Sequence, residues 1–107
     1  MSNWWLTLSQ TTDQVKERLV KYLRRDETNL RKTVLNMFLN GDTYTTNDIY
    51  NNLVQHGFDV NYRGVSAMVG LMNTRLGILR IDVTREHNHY SLKDDFTDIV
   101  KGVLDNF

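Results

Sequence analysis

The residues best suited to chemistry in this chain are His87 and His89, separated only by Asn88, with Asp82 on the run that precedes them. On a strand, positions i and i+2 share a face, a spacing that some metal sites use, and Asp82 on a partner strand would stand across from them. The pattern supplies no third ligand. His56 falls in the last turn of a helical segment, where the helix dipole already accounts for a histidine. Cysteine is absent, which removes thiol catalysis, thiolate zinc sites and a disulfide framework, and is compatible with a reducing cytoplasm. Arg63-Gly64 and Val69-Gly70-Leu71 lack the spacing and the preceding strand of a phosphate-binding glycine loop. Ser66, His87 and Asp82 form a triad only if geometry is ignored. The expectation is a protein that is not an enzyme, with no metal and no cofactor, in which His87 marks the tip of a hairpin.

A second set of residues suggests recognition instead of catalysis. Tyr62, Arg63, Ser66, Asn73 and Arg75 occur in one segment without a single carboxylate, Tyr62 to Leu76. Tyr62 and Arg63 open it, and Ser66 and Gly70 follow one and two turns on. Small residues there would let a backbone or a groove wall approach. Glycine inside a helix costs roughly 1 kcal/mol relative to alanine, so Gly70 implies a need for space. The competing explanation is that Gly64, Ala67 and Gly70 admit a neighbouring helix of the same domain. Arg85 and His87, in the turn that follows, could touch a phosphate or a minor groove, or could simply be solvated.

These side chains need elements to hold them. Proline is absent, and Gly41, Gly57 and Gly77 stand where apolar helical periodicity stops, as left-handed helix ends. A helix capped by Thr28 carries Leu30, Val34, Leu35 and Phe38 on one face. The next begins at Thr45-Thr46-Asn47-Asp48, close to a capping box, and buries Ile49 and Leu53, with Val54 at the margin of the same face. The third opens at Asn61 and turns Val65, Met68, Val69, Met72 and Leu76 inward. The short link from Gly57 to Val60 suits two helices meeting at a large angle. Alternation from Ile78 to Val83 predicts a strand, His89 to Lys93 a second, and Thr84 to Asn88 the turn between them. Before this unit, Thr12-Asp13 is expected to cap a helix to about Arg25, with Val15, Leu19, Tyr22 and Leu23 inward. After it, Asp94 is expected to cap a helix whose apolar positions run from Phe96 to Phe107.

With 107 residues, 40% of them hydrophobic and 24% charged, the chain is expected to form one soluble domain. A domain of that size buries roughly 65% of the surface its unfolded chain exposes. Trp4-Trp5-Leu6-Thr7-Leu8 fails as a signal peptide, and no run reaches the roughly 18 apolar residues of a membrane span. Thirteen basic residues balance thirteen acidic ones, which denies the chain a global basic excess. The charge is nevertheless segregated. Segments 1–32 and 60–93 are each +3, and segments 33–59 and 94–107 are each −3.

The order of helix, helix, turn, helix and hairpin predicts a mainly α fold with a small β-hairpin, a winged helix-turn-helix with flanking N- and C-terminal helices. Residues 1–107 form a single domain in this reading, comprising an apolar arm (1–10), a first helix (12–25), the winged-helix core (28–93) and a last helix (94–107). The run GFDVNYRGVSAMVGLMNTRLGILRIDVTREHNHYSL resembles a small family of uncharacterised archaeal proteins, chiefly from methanogens, that share a winged-helix-like domain of unknown function. The likeness extends from about Lys21 to Phe107, and NYRGVSAMVG and TRLGILRI carry most of it. It implies fold and archaeal origin, with no activity to transfer.

The function expected is binding of double-stranded DNA by a cytoplasmic homodimer that regulates transcription. In a winged helix-turn-helix the second motif helix enters the major groove and phosphate contacts fix its register. Arg63, Ser66 and Asn73 would read the groove, Tyr62 and Arg75 would hold phosphates, and Arg85 and His87 would anchor the wing. Trp4, Trp5, Leu6 and the surplus apolar positions of the last helix would form the dimer. The rival expectation is a protein-binding adaptor, because neutral charge weakens the electrostatic term behind DNA affinity and Met68 and Met72 suit adaptable packing.

Overall fold

A computed structural model describes residues 4–84 and 86–107, with side chains from Thr12 onward. Its elements are α1 (Trp4–Arg24), α2 (Leu30–Phe38), β1 (Tyr44–Thr45), α3 (Thr46–Gln55), α4 (Tyr62–Leu71), a π-helical turn (Met72–Leu76), β2 (Leu79–Val83), β3 (Asn88–Leu92), a 3-10 turn (Asp94–Phe96) and α5 (Thr97–Leu104). The fold is mixed α/β and mostly helical. Its antiparallel sheet has three strands in the order β1-β3-β2.

α1 spans Trp4–Arg24 and passes through Thr12-Asp13 without interruption, so residues 4–10 of the expected arm are already helical in backbone. No glycine or proline stands before Arg24 to stop it, and threonine or aspartate inside a helix costs only a fraction of a kcal/mol, about 0.7 at most. The side chains of Trp4, Trp5 and Leu6 lie outside the described residues. Farther along, Val15, Leu19 and Leu23 recur four residues apart and are buried. This stripe packs α1 against α5 and the π turn.

The corner between α1 and α2 departs from the expected Thr28 cap. Both carboxylate oxygens of Asp26 accept from the first turn of α2, Oδ1 from the Arg31 N–H and Oδ2 from the Lys32 N–H, each at 3.0 Å. Asn29 makes this reach possible by taking a left-handed conformation, φ 64°, which asparagine tolerates better than most residues. α2 then buries Val34, Leu35 and Phe38.

α3 opens as its sequence requires. The Thr45 hydroxyl accepts from the Asp48 N–H at 3.1 Å, and the Asp48 carboxylate accepts from the Thr45 N–H at 2.9 Å, a reciprocal capping box. At its end Gly57 takes φ 87°, and the Phe58 N–H donates to the Leu53 carbonyl at 3.1 Å, while Phe58 packs on the core. α3 and α4 are thereby joined by a short tight link and pack on one another.

The hairpin differs from a simple two-stranded one because Tyr44 and Thr45 pair with Tyr90 and His89 on the other side of β3. The β2–β3 register sets Leu79 opposite Leu92, Ile81 opposite Tyr90 and Asp82 opposite His89. Phe38 lies edge-on to Tyr44, with ring centroids 5.7 Å apart, which pins β1 to α2. The last helix starts later than expected. A 3-10 turn precedes α5, and no side-chain hydrogen bond from Asp94 caps either. One core joins α1 to α5 and the sheet through Leu19, Phe38, Leu53, Val69, Leu79 and Val100.

Candidate nucleic-acid interface

The local sequence explains how α4 is built. The Asn61 backbone is extended and its Oδ1 accepts from the Gly64 N–H at 2.7 Å, which starts the helix. A Cβ on Gly64 would stand 3.2 Å from that same oxygen, so glycine at this position leaves room for the cap. Val65, Val69, Met72 and Leu76 are buried. Met68 is only half-buried, one step off the expected stripe. Beyond Leu71 the helix widens into the π turn, a feature often found near functional sites. There the Thr74 hydroxyl donates to the Gly70 carbonyl at 3.0 Å. Gly77, at φ 66°, ends the turn, and the Lys93 ammonium donates to the Gly77 carbonyl at 3.2 Å.

The outer face of α4 is left open by the described residues. Tyr62 is 50% exposed and meets the Tyr50 ring of α3 edge-on, at 6.1 Å between centroids. Arg63, Ser66, Ala67 and Thr74 are exposed. A Cβ on Gly70 would meet nothing within 4 Å. No described atom of a neighbouring helix therefore accounts for Gly70. For Gly64 the close neighbour is its own cap, not another helix.

The expected DNA-contacting residues divide into three groups. Tyr62, Arg63 and Ser66 share the open face, and Asn73 is half-buried beside it. Arg75 turns toward α1 and lines a cleft with Arg18, Lys21, Arg25 and Arg31. His87 lies in the β2–β3 turn, where Thr84 closes a loop by donating N–H and Oγ1–H to the His87 carbonyl at 3.0 and 2.9 Å. Its ring stands 3.9 Å from the Glu86 carboxylate, with both side chains exposed, so the pair contributes little. Arg85, the expected wing anchor, lies outside the described residues.

His87 precedes β3, so it does not share a strand face with His89, although Asp82 does pair with His89. Among the described residues no three His, Asp or Glu side chains gather as a metal site would need. His56 Nδ1 lies 2.7 Å from the Asn52 carbonyl of its own helix. No helix of the described residues is long and apolar enough to cross a membrane.

The cleft between α1 and the end of α4 was not apparent from the sequence. Its signal there was the helical spacing of Arg18, Lys21, Tyr22 and Arg25, which puts all four on one side of α1. At its centre the Arg31 guanidinium lies 4.3 Å over the Tyr22 ring and donates to the Tyr22 carbonyl at 2.8 Å. Burial pushes the Tyr22 phenol up to about 12, with Arg31 pulling it down and Asp26 pushing it up. The hydroxyl is therefore a neutral donor at ordinary pH.

The region that contains these elements defines a family. The family described as "Protein of unknown function (DUF2551)" matches residues 19–100, and the chain belongs to it. An uncharacterized protein of the archaeon Archaeoglobus fulgidus is 43% identical over 94 residues, covering 88% of this chain and 96% of that relative. No solved structure matches the chain.

Proposed function

We propose that the chain is a winged-helix domain that binds double-stranded DNA, acting as a cytoplasmic homodimer in transcription regulation. The order α2, β1, α3, α4, β2, β3 supports the winged-helix reading, with α3 and α4 as the helix-turn-helix and the β2–β3 turn as the wing. The observation that carries the function is the outer face of α4, left open among the described residues, with Arg63 and Ser66 exposed and no described atom within 4 Å of a Cβ on Gly70. A helix in the major groove needs such a surface, free of its own protein and free of carboxylates, and Tyr62–Leu71 contains none. Arg63, Ser66 and Asn73 reach base edges in this reading, and Tyr62 holds a phosphate. His87 serves the wing, and Arg85 is proposed beside it. The dimer uses the N-terminal part of α1 and the C-terminal end of the chain, where Phe107 is 44% exposed.

The test is fluorescence anisotropy with a random-sequence duplex across a salt series. Binding is expected at low salt and to weaken as salt rises, and Arg63→Ala is expected to weaken it further by removing a base-edge contact. Undetectable binding at low salt, or binding indifferent to loss of both Arg63 and Arg85, overturns the proposal.

A further inference from the structure

Two clefts run into one another along the α1 side of α4. One, of about 470 Å³, is lined by Leu30, Val60, Met68 and Leu71, with Asp59 and Asn61 among the lining residues that the second cleft does not share. The other, of about 510 Å³, is walled by Arg18, Lys21, Arg25, Arg31 and Arg75, and no carboxylate among the described residues lines it. They share Tyr22, Arg31 and Leu71. Five cations thus converge in a chain whose net charge is zero. Of these five, only the Lys21 side chain forms an ion pair among the described residues, with Glu17 at 3.2 Å on the exposed side of α1. Gathering like charges around a concave surface is unfavourable unless an anion is held there.

We propose that this composite cleft binds a nucleoside polyphosphate, with the phosphates at the arginines and the base in the apolar half. The cleft is chemically polarised along its length. Asp59 repels phosphate from one end, and the arginines attract it to the other, so only one orientation is favourable. Arg31 is already fixed by its stack on Tyr22 and its hydrogen bond to the Tyr22 carbonyl. Its remaining N–H groups are presented at little further entropic cost. The neutral Tyr22 hydroxyl adds a donor. In the apolar half a flat base would cover Met68 and Leu71, the latter 45% exposed, with the Asp59 carboxylate and the Asn61 amide at its polar edge. An inorganic anion would leave that half uncovered. A duplex backbone would also leave it uncovered, since its bases are stacked inside the helix. The combined volume is in the range of pockets that hold ligands of this size.

The test is isothermal titration of the full chain with ATP, inorganic triphosphate and adenosine, without DNA. ATP is expected to bind saturably and more tightly than either fragment. Arg25→Ala with Arg75→Ala, both exposed positions, should weaken ATP at least about tenfold by removing charge-assisted hydrogen bonds. Met68→Glu should weaken ATP and adenosine, while Arg63→Ala should leave ATP unchanged. Circular dichroism of each variant confirms its fold. The absence of saturable ATP binding overturns the proposal, as does ATP binding indifferent to both cleft variants. Triphosphate binding as tightly as ATP while duplex DNA displaces it would also overturn it, in favour of a backbone-phosphate site. ATP binding that persists when no duplex binds would uphold this site and sink the DNA reading alone.

Discussion

Replacing Gly70 with alanine separates the two reasons a glycine can stand in a helix. Gly70 lies inside α4, with no left-handed conformation to protect, and an added Cβ meets nothing within 4 Å. Within the folded chain the substitution should be favourable, since alanine gains roughly 1 kcal/mol over glycine in a helix interior. For a domain of this size that corresponds to about 4 °C or more in melting temperature. If the open space is where duplex DNA approaches, the same methyl group intrudes on that interface. Overpacking a close interface costs about 1–3 kcal/mol, so DNA affinity should fall at least about fivefold. Gly64→Ala provides the contrast. Its methyl presses on the Asn61 oxygen from 3.2 Å, so part or all of the helix gain is offset by a weaker cap. Thermal unfolding and duplex anisotropy on Gly70→Ala give both readings. A variant that is more stable and binds duplex as well as the parent would refute the claim that Gly70 is kept for a partner. A variant that is less stable would refute the reading of the helix itself.

Other perturbations test the frame around this face. Asp26→Ala removes the acceptor of two backbone N–H groups and should cost about 1 kcal/mol, as removing a helix cap does, measured by urea unfolding. Phe38→Ala empties a fully buried position beside Tyr44 and should cost about 3–5 kcal/mol, a large share of the roughly 5–15 kcal/mol that holds such a domain folded, measured by urea unfolding. Tyr22 should ionise near pH 12 rather than at the ordinary phenol value of 10.0, visible in the tyrosinate absorbance as a step that Tyr22→Phe removes. Because burial raises the phenol above its unfolded value, its contribution to stability is complete below pH 10 and disappears between pH 10 and about 12.

The parts of this fold that were legible in sequence are those governed by neighbours a few residues away. Thr45 and Asp48 announce their capping box, Asn61 its helix start, and Gly57 and Gly77 the ends of α3 and the π turn. The parts that were not legible depend on reach. Asp26 caps α2 from five and six residues away across a left-handed Asn29, and no short motif encodes that. β1 is two residues long, too short to display alternation, and forms only because β3 is there to pair with it. The π turn follows α4 with no breaker in the sequence to mark it. The face of α4 was readable from helical period alone, whereas the cleft that takes Arg75 away from it required α1 to fold back on the end of α4. Arg25 and Arg75, far apart in the chain, share that cleft, which periodicity along the sequence cannot reveal.

The central claim, that the open side of α4 meets duplex DNA, is tested most directly by amide chemical-shift mapping of the labelled protein during titration with a short duplex. The amides of Arg63, Ser66, Ala67, Gly70 and Thr74 are expected to move together and saturate, with smaller shifts in the β2–β3 turn. Saturable shifts confined to α5 or the sheet, or no shifts at low salt, would contradict it.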